Sequence, residues 1–172
     1  AAIEESPAAA QRGRSIRDLF DSQIALLRKD RELQRFILAR SLMVSTALVG
    51  PVYVGLAQAA TGRALDGLGW LIIASGLAGA LSSAFWGIFS DKSSRLTMAL
   101  AAGLAGGLGF AVLAVLALFP ALQGHIAFYA AILFIVGIAH AGVRIGRKTH
   151  VVDLAGRDRK SEYVALSNTV IG

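Results

Sequence analysis

The sequence predicts an all-α fold, a polytopic transmembrane helix bundle with four complete spans and the start of a fifth, preceded by an amphipathic surface helix. Two observations carry this reading. Hydrophobic residues make up 55% of the 172 and charged residues only 16%, whereas a soluble domain carries about 25% charged residues. The charges are also kept out of long runs. None occurs from Leu68 to Ser90, and from Leu96 onward no Lys, Arg, Asp or Glu occurs before Arg144. Crossing a bilayer as helix takes about 20 apolar residues, so these runs are long enough.

The elements follow in order. Residues 1–14 are polar, with Ala, Ser and Pro, and read as a flexible segment. Ser15 to Asp18 has the form of a capping box, a helix-start signal. Ile16, Leu19, Phe20, Ile24 and Leu27 then recur at helical spacing, with Arg17, Asp21, Arg28 and Lys29 between them. Residues 15–34 therefore read as an amphipathic helix, lying on a membrane surface or packed on protein.

Residues 35–172 read as the membrane part. The first span is expected from about Phe36 to Gln58, with Pro51 bending it by removing a helical hydrogen bond. Thr61 to Gly67 makes a short loop. The second span is about Leu68 to Ser90 and the third about Leu96 to Phe119. Pro120 to His125 turns the chain, and the fourth span is about Ile126 to Val143. A charged loop from roughly Arg144 to Glu162 leads to a fifth apolar stretch that ends at Gly172. The chain starts at Ala1 without Met, so it reads as a piece of a longer protein.

Charge orients this bundle. Sixteen of the seventeen Lys and Arg fall before the first span or just inside its start (Arg40), between the second and third, or after the fourth; only Arg63 lies on the other side. Basic loops stay cytoplasmic, so the N-terminal segment is expected to be cytoplasmic. The net charge of +6 then reports orientation and contact with anionic lipid, and the expected partners include the bilayer but no nucleic acid. With no Cys, neither a disulfide framework nor a thiolate metal site is possible. The three His are far apart, so no metal or other cofactor is expected. No phosphate-binding Gly-x-x-x-x-Gly-Lys-Ser/Thr loop, Gly-x-Ser-x-Gly elbow or His-Glu-x-x-His motif occurs, which argues against an enzyme.

Between the second and third spans stands Gly87-Ile-Phe-Ser-Asp91-Lys92-Ser-Ser-Arg95. This Gly-x-x-x-Asp-Lys-x-x-Arg loop resembles the cytoplasmic loop signature of the major facilitator superfamily of secondary transporters. The sequence departs from that pattern at Ser94, where a second Gly is usual, and at Leu96, where a last cation is usual. Arg144-Ile-Gly146-Arg147-Lys148, ending the fourth span, is similar to a second feature of the superfamily. The following Asp153, Glu162-Tyr163 and Ser167-Asn168-Thr169 look like the stretch joining the fourth and fifth helices of one transporter half. The basic segment before the first span and the altered loop fit the C-terminal half, with the N-terminal half as the alternative.

The resemblance implies transport of a small solute by alternating access in a bacterial inner membrane, with the remaining helices of the same transporter as partners. It also implies that Gly87, Asp91, Lys92, Arg95, Arg144, Gly146, Arg147 and Lys148 act at cytoplasmic latches. Gly87 is expected to permit close helix approach, and Asp91 to start the next helix, at its positive end or paired with a cation on a neighbouring helix. A different class of function, an accessory or assembly subunit of a larger membrane complex, is the alternative. Gly103 and Gly107 form Gly-x-x-x-Gly and are expected to be a packing face. Polar residues within spans mark possible pathways. Tyr53, Gln58 and His140 are the candidate cavity residues, His140 being placed near the interface. Ser45, Thr46, Ser82 and Ser83 are expected to bond mostly to their own helices.

Overall fold

A computed structural model describes residues 16–62, 67–156 and 159–171. The segment 1–14, Ser15, the loop residues 63–66 with Arg63, and Arg157 with Asp158 lie outside the described residues. The described residues form six α-helices: α1 Ile16–Lys29, α2 Arg31–Thr61, α3 Leu68–Lys92, α4 Ser94–Leu118, α5 Ile126–Ala155 and α6 Lys160–Ile171. A 3-10 turn, Pro120–Gly124, joins α4 to α5. Four of them, α2 to α5, are long and apolar enough to cross a membrane. Large apolar side chains point outward along three of these helices, including Leu42, Leu48, Leu81, Ile88, Phe110 and Leu113. An exposed apolar surface of that extent is stable only against lipid or other protein. The chain is an all-α integral membrane protein.

The helix at the centre is α5. Half of its apolar stretch is buried, against 6% for α2, 17% for α3 and 11% for α4. Glycines allow this. A Cβ on Gly137 would fall 2.4 Å from the Ser75 carbonyl oxygen and 3.0 Å from Ala78 Cβ of α3. On Gly142 it would fall 2.7 Å from both Ala101 Cβ of α4 and the Trp86 ring of α3. On Gly146 it would meet Met98 Cγ of α4 at 2.8 Å. Three levels of one helix thus touch two neighbours at backbone distance. Trp86 fixes the middle level further, its indole N–H donating to the Ile138 carbonyl at 2.9 Å.

Three apolar clusters stack along the bundle. Ala57, Leu71, Val112, Tyr129 and Leu133 fill the end away from the basic residues. Trp86, Ala101, Ala141 and Val143 fill the middle. Leu33, Phe36, Met98, Val151, Tyr163 and Leu166 fill the basic end, where α6 packs. Leu26 and Leu27 of α1 lie against this last cluster, while Ile24 stays 46% exposed. Part of the amphipathic face of α1 therefore packs on protein.

The expected boundaries shift in three places. The amphipathic helix ends at Lys29, because Asp30 caps α2: its Oδ1 accepts from the N–H groups of Glu32 and Leu33 at 3.0 and 3.1 Å. Gln34 in turn donates to the Leu27 and Arg28 carbonyls at 2.8 and 3.2 Å, closing α1. Second, α2 starts at Arg31 and reaches Thr61, a few residues beyond the expected Phe36 to Gln58 at each end, with Pro51 inside it. Third, the fourth span does not give way to a loop at Arg144. Its helix runs on to Ala155, since Gly146, His150, Val151 and Ala155 are buried. The apolar run ends where the charges begin, but the helix ends where its packing does.

The glycines that pack among the described residues are other than the Gly103 and Gly107 pair, which faces away from the bundle. Gly103 and Gly107 are exposed, and no neighbouring atom lies within 4 Å of a Cβ built on either. Close approach falls on α5 instead. Gly142→Ala is therefore expected to destabilise the folded protein by about 1–3 kcal/mol through overpacking, read as unfolding in detergent. Gly103→Ala and Gly107→Ala should leave it unchanged or slightly more stable.

Candidate functional site

A groove of about 490 Å³ runs between α2, α3 and α5, lined by Thr46, Gly50, Ser75, Ser83, His140 and Arg144 among others. Its depth follows from the packing. Gly137 of α5 meets Ser75 and Ala78, and Gly142 meets Trp86. His140 thus stands level with the segment of α3 between Ala78 and Trp86, around the midpoint of Leu68–Lys92. The sequence reading put His140 near the interface because the apolar run ends at Val143; α5 runs on for twelve more residues, to Ala155, and His140 stands near the middle of that longer helix. Arg144 stands one turn beyond it, six residues or about 9 Å along the helix from His150, whose ring meets Ser94 at the first turn of α4.

Arg144 and His140 are both solvent-accessible in the groove. No Asp or Glu occurs between Asp91 and Asp153, and none between Glu32 and Asp66. Among the described residues Arg144 accordingly forms no ion pair. The hydroxyls of Thr46 and Ser83 donate to the Met43 and Ala80 carbonyls of their own helices, each at 2.7 Å. Ser45 and Ser82 do the same, to Leu42 and Gly79. Tyr53 and Gln58 are half-buried and do not line this groove. Tyr53 packs beside the cluster at the far end.

At the basic end the charged motif is arranged differently from the expectation. Asp91 does not start a helix. It lies in the last turn of α3, exposed, where the helix dipole is unfavourable to a carboxylate. Ser93 starts α4 instead, its hydroxyl accepting from the Leu96 N–H at 3.3 Å. Asp91 forms no ion pair among the described residues. Nor does Gly87 mediate close approach, since no neighbouring atom comes within 4 Å of a Cβ built there. Lys92 and Lys148 are exposed, Arg147 is half-buried, and Gly146 is packed against Thr97 and Met98.

The ties at this end come from residues outside that pattern, Arg95 excepted. Arg95 of α4 pairs with Glu32 of α2 at 2.5 Å, and Glu32 also meets Arg35 at 2.8 Å. Their side chains are about half exposed or more, so each pair contributes about 0–1 kcal/mol. Ser94, the departure from the expected Gly, bridges α4 to α5. Its Oγ donates to Asp153 at 2.7 Å and lies 2.9 Å from His150 Nδ1. The hydroxyl has one hydrogen, given to Asp153, so Nδ1–H must be the donor to Ser94. A base-activated nucleophile needs the imidazole to take the hydroxyl proton. Here the order is carboxylate, hydroxyl, imidazole, which makes a helix tie and not a nucleophile.

The short helix α6 docks through two polar contacts that the sequence did not indicate. Tyr163 Oη donates to Asp30 Oδ2. Arg40 of α2 donates to Ser167 Oγ and, at 3.0 Å, to Asn168 Oδ1. Among the described residues no three His, Asp or Glu side chains gather as a metal site. Comparison with protein-family models, curated proteins and solved structures finds no match to this chain.

The Asp30–Tyr163 contact makes the seating of α6 pH-dependent. The phenol hydrogen bond holds the Asp30 carboxyl below its ordinary value, helped by the two backbone N–H groups. The same bond raises the Tyr163 phenol. A depressed carboxyl contributes stability above its ordinary pKa and loses it as pH falls; a raised phenol contributes below its ordinary pKa and loses it as pH rises. Protection of α6 amides from hydrogen exchange, corrected for intrinsic rates, should therefore be highest between about pH 4 and 10. Tyr163→Phe should lower that protection and remove the alkaline loss.

Proposed function

We propose that this chain supplies one half of the pathway of a secondary transporter of the major facilitator type, moving a small solute by alternating access. The observation that carries this is the mid-height groove, where an Arg and a His stand inside membrane-crossing helices. Ionisable groups at that depth are costly and are retained chiefly where they face a pathway. The loop motifs supply the rest: Gly87 to Arg95 and Arg144 to Lys148 resemble those of the superfamily. In this reading the basic end is cytoplasmic, in keeping with the positive-inside rule, and the membrane is a bacterial inner membrane.

Alternating access needs contacts that hold one state and release in another. The Glu32–Arg95 pair and the Ser94 bridge to Asp153 and His150 suit that role. They join α2, α4 and α5 across one end, and the exposed Glu32–Arg95 pair is weak enough to break during a cycle. Further helices would cover the open side of the groove and complete the cavity.

The test is solute flux in vesicles reconstituted with the native protein. Ser83→Trp, which fills the groove, should abolish uptake or exchange of the transported solute while the protein still folds. Leu81→Trp, on the outward apolar face (66% exposed), should transport normally. Unchanged flux in Ser83→Trp would contradict the pathway.

A further inference from the structure

The transport reading says nothing of which solutes are carried, and the charge distribution of the groove does. We infer that the groove is a subsite for small anionic solutes, those bearing a carboxylate or phosphate, with Arg144 as the binding cation and His140 as its neighbour. This rests on the proposed transport role for its meaning, but its chemistry stands on the groove alone.

Arg144 projects from α5 about 9 Å inboard of the Ser94–His150 layer, into a groove of about 490 Å³. Such a volume takes a small solute. The charged side chain lining it is a cation, and the imidazole beside it adds a second nitrogen donor. Among the described residues no acidic side chain lines the groove. Glu32, Asp91, Asp153 and Glu162 stand at the basic end, and the first two of the four are spent on Arg35 and Arg95 or exposed to solvent. A cationic solute entering this groove would meet like charge without a counter-charge, which is strongly disfavoured. An anionic solute would gain a charge-assisted, potentially bidentate contact from the guanidinium.

The remaining lining is consistent with this. Thr46 and Ser83 present oxygen atoms whose protons go to their own helices, so they do not compete for the guanidinium as charges would. Gly50, Gly76 and Gly79 keep the walls low between α2 and α3. The guanidinium is thus approachable from the groove and unpaired among the described residues.

The experiment observes Arg144 itself. The native protein, labelled with ¹⁵N-arginine, is placed in nanodiscs of neutral phosphatidylcholine at constant ionic strength. The Arg144 guanidinium resonance, assigned by its loss in Arg144→Lys, is followed on adding inorganic phosphate, succinate or choline. A saturable shift with phosphate or succinate and none with choline is expected. Losing one charge-assisted contact in Arg144→Gln should weaken that anion's binding, measured by calorimetry, at least about tenfold, with Arg144→Lys intermediate. Arg144→Glu should bind choline in place of the anions. No saturable response to either anion, or an equal response to choline, would overturn the proposal. So would a saturated response produced by phosphatidylglycerol in the disc alone, since the occupant would then be a lipid headgroup. Anion binding without any vesicle flux would overturn transport and keep the anion site. Flux confined to neutral or cationic solutes would do the reverse.

Discussion

The contact of α5 with α3 and α4 through Gly137, Gly142 and Gly146 is the constraint on which the rest of this molecule depends. In lipid there is little hydrophobic drive between helices, so association comes from close van der Waals packing. A single methyl at Gly142 would fall 2.7 Å from Ala101 Cβ, which is fixed to its own helix and cannot swing aside. With these three levels locked, α5 can continue past the end of its apolar run and carry charge along a rigid rod. That is why Arg144, Gly146, Arg147 and Lys148 belong to a helix, and why His140 is held at mid-height facing α2 and α3.

Two polar regions follow from this geometry, and they differ in kind. At the basic end, donors and acceptors meet in paired sets: Asp30 with the start of α2 and with Tyr163, Ser94 with Asp153 and His150, and the two terminal nitrogens of Arg40 with Ser167 and Asn168, its Nε being buried without a partner. Each joins helices distant in sequence. In the groove, by contrast, Arg144 and His140 face open space. Paired polar sets hold a structure together, whereas unpaired ones at membrane depth point to something that comes and goes. The proposed transport role places the moving solute at the second region and the releasable contacts at the first.

The helical class and the number of long apolar helices were legible in the sequence, because exclusion of charge from a bilayer writes itself as uncharged runs. The ends of α3 and α4 were legible to within two residues for the same reason. The end of α5 was not. Charge at Arg144 marks where the uncharged run stops, and nothing in composition distinguishes a helix that then continues against protein from one that unwinds. On glycine, spacing singled out Gly103 and Gly107, which stand on an open face, and gave no sign of Gly137, Gly142 and Gly146, which pack within the described residues at intervals of five and four. Ser94 read as a departure from a motif, yet its hydroxyl makes the bridge between α4 and α5. His140 was singled out by its chemistry, but its depth needed the register of α5 against α3, which only tertiary packing fixes.

The packing of α5 against α3 and α4 is expected to hold position 140 near the bilayer centre in a water-accessible groove. Collision accessibility of a spin label measures both quantities at once. A label at His140 is predicted to report a depth near the bilayer centre together with high accessibility to a water-soluble nickel chelate, whereas one at Leu81 reports similar depth with oxygen accessibility and little chelate. A label at His140 that reads as interfacial, or as lipid-facing like Leu81, would contradict the account.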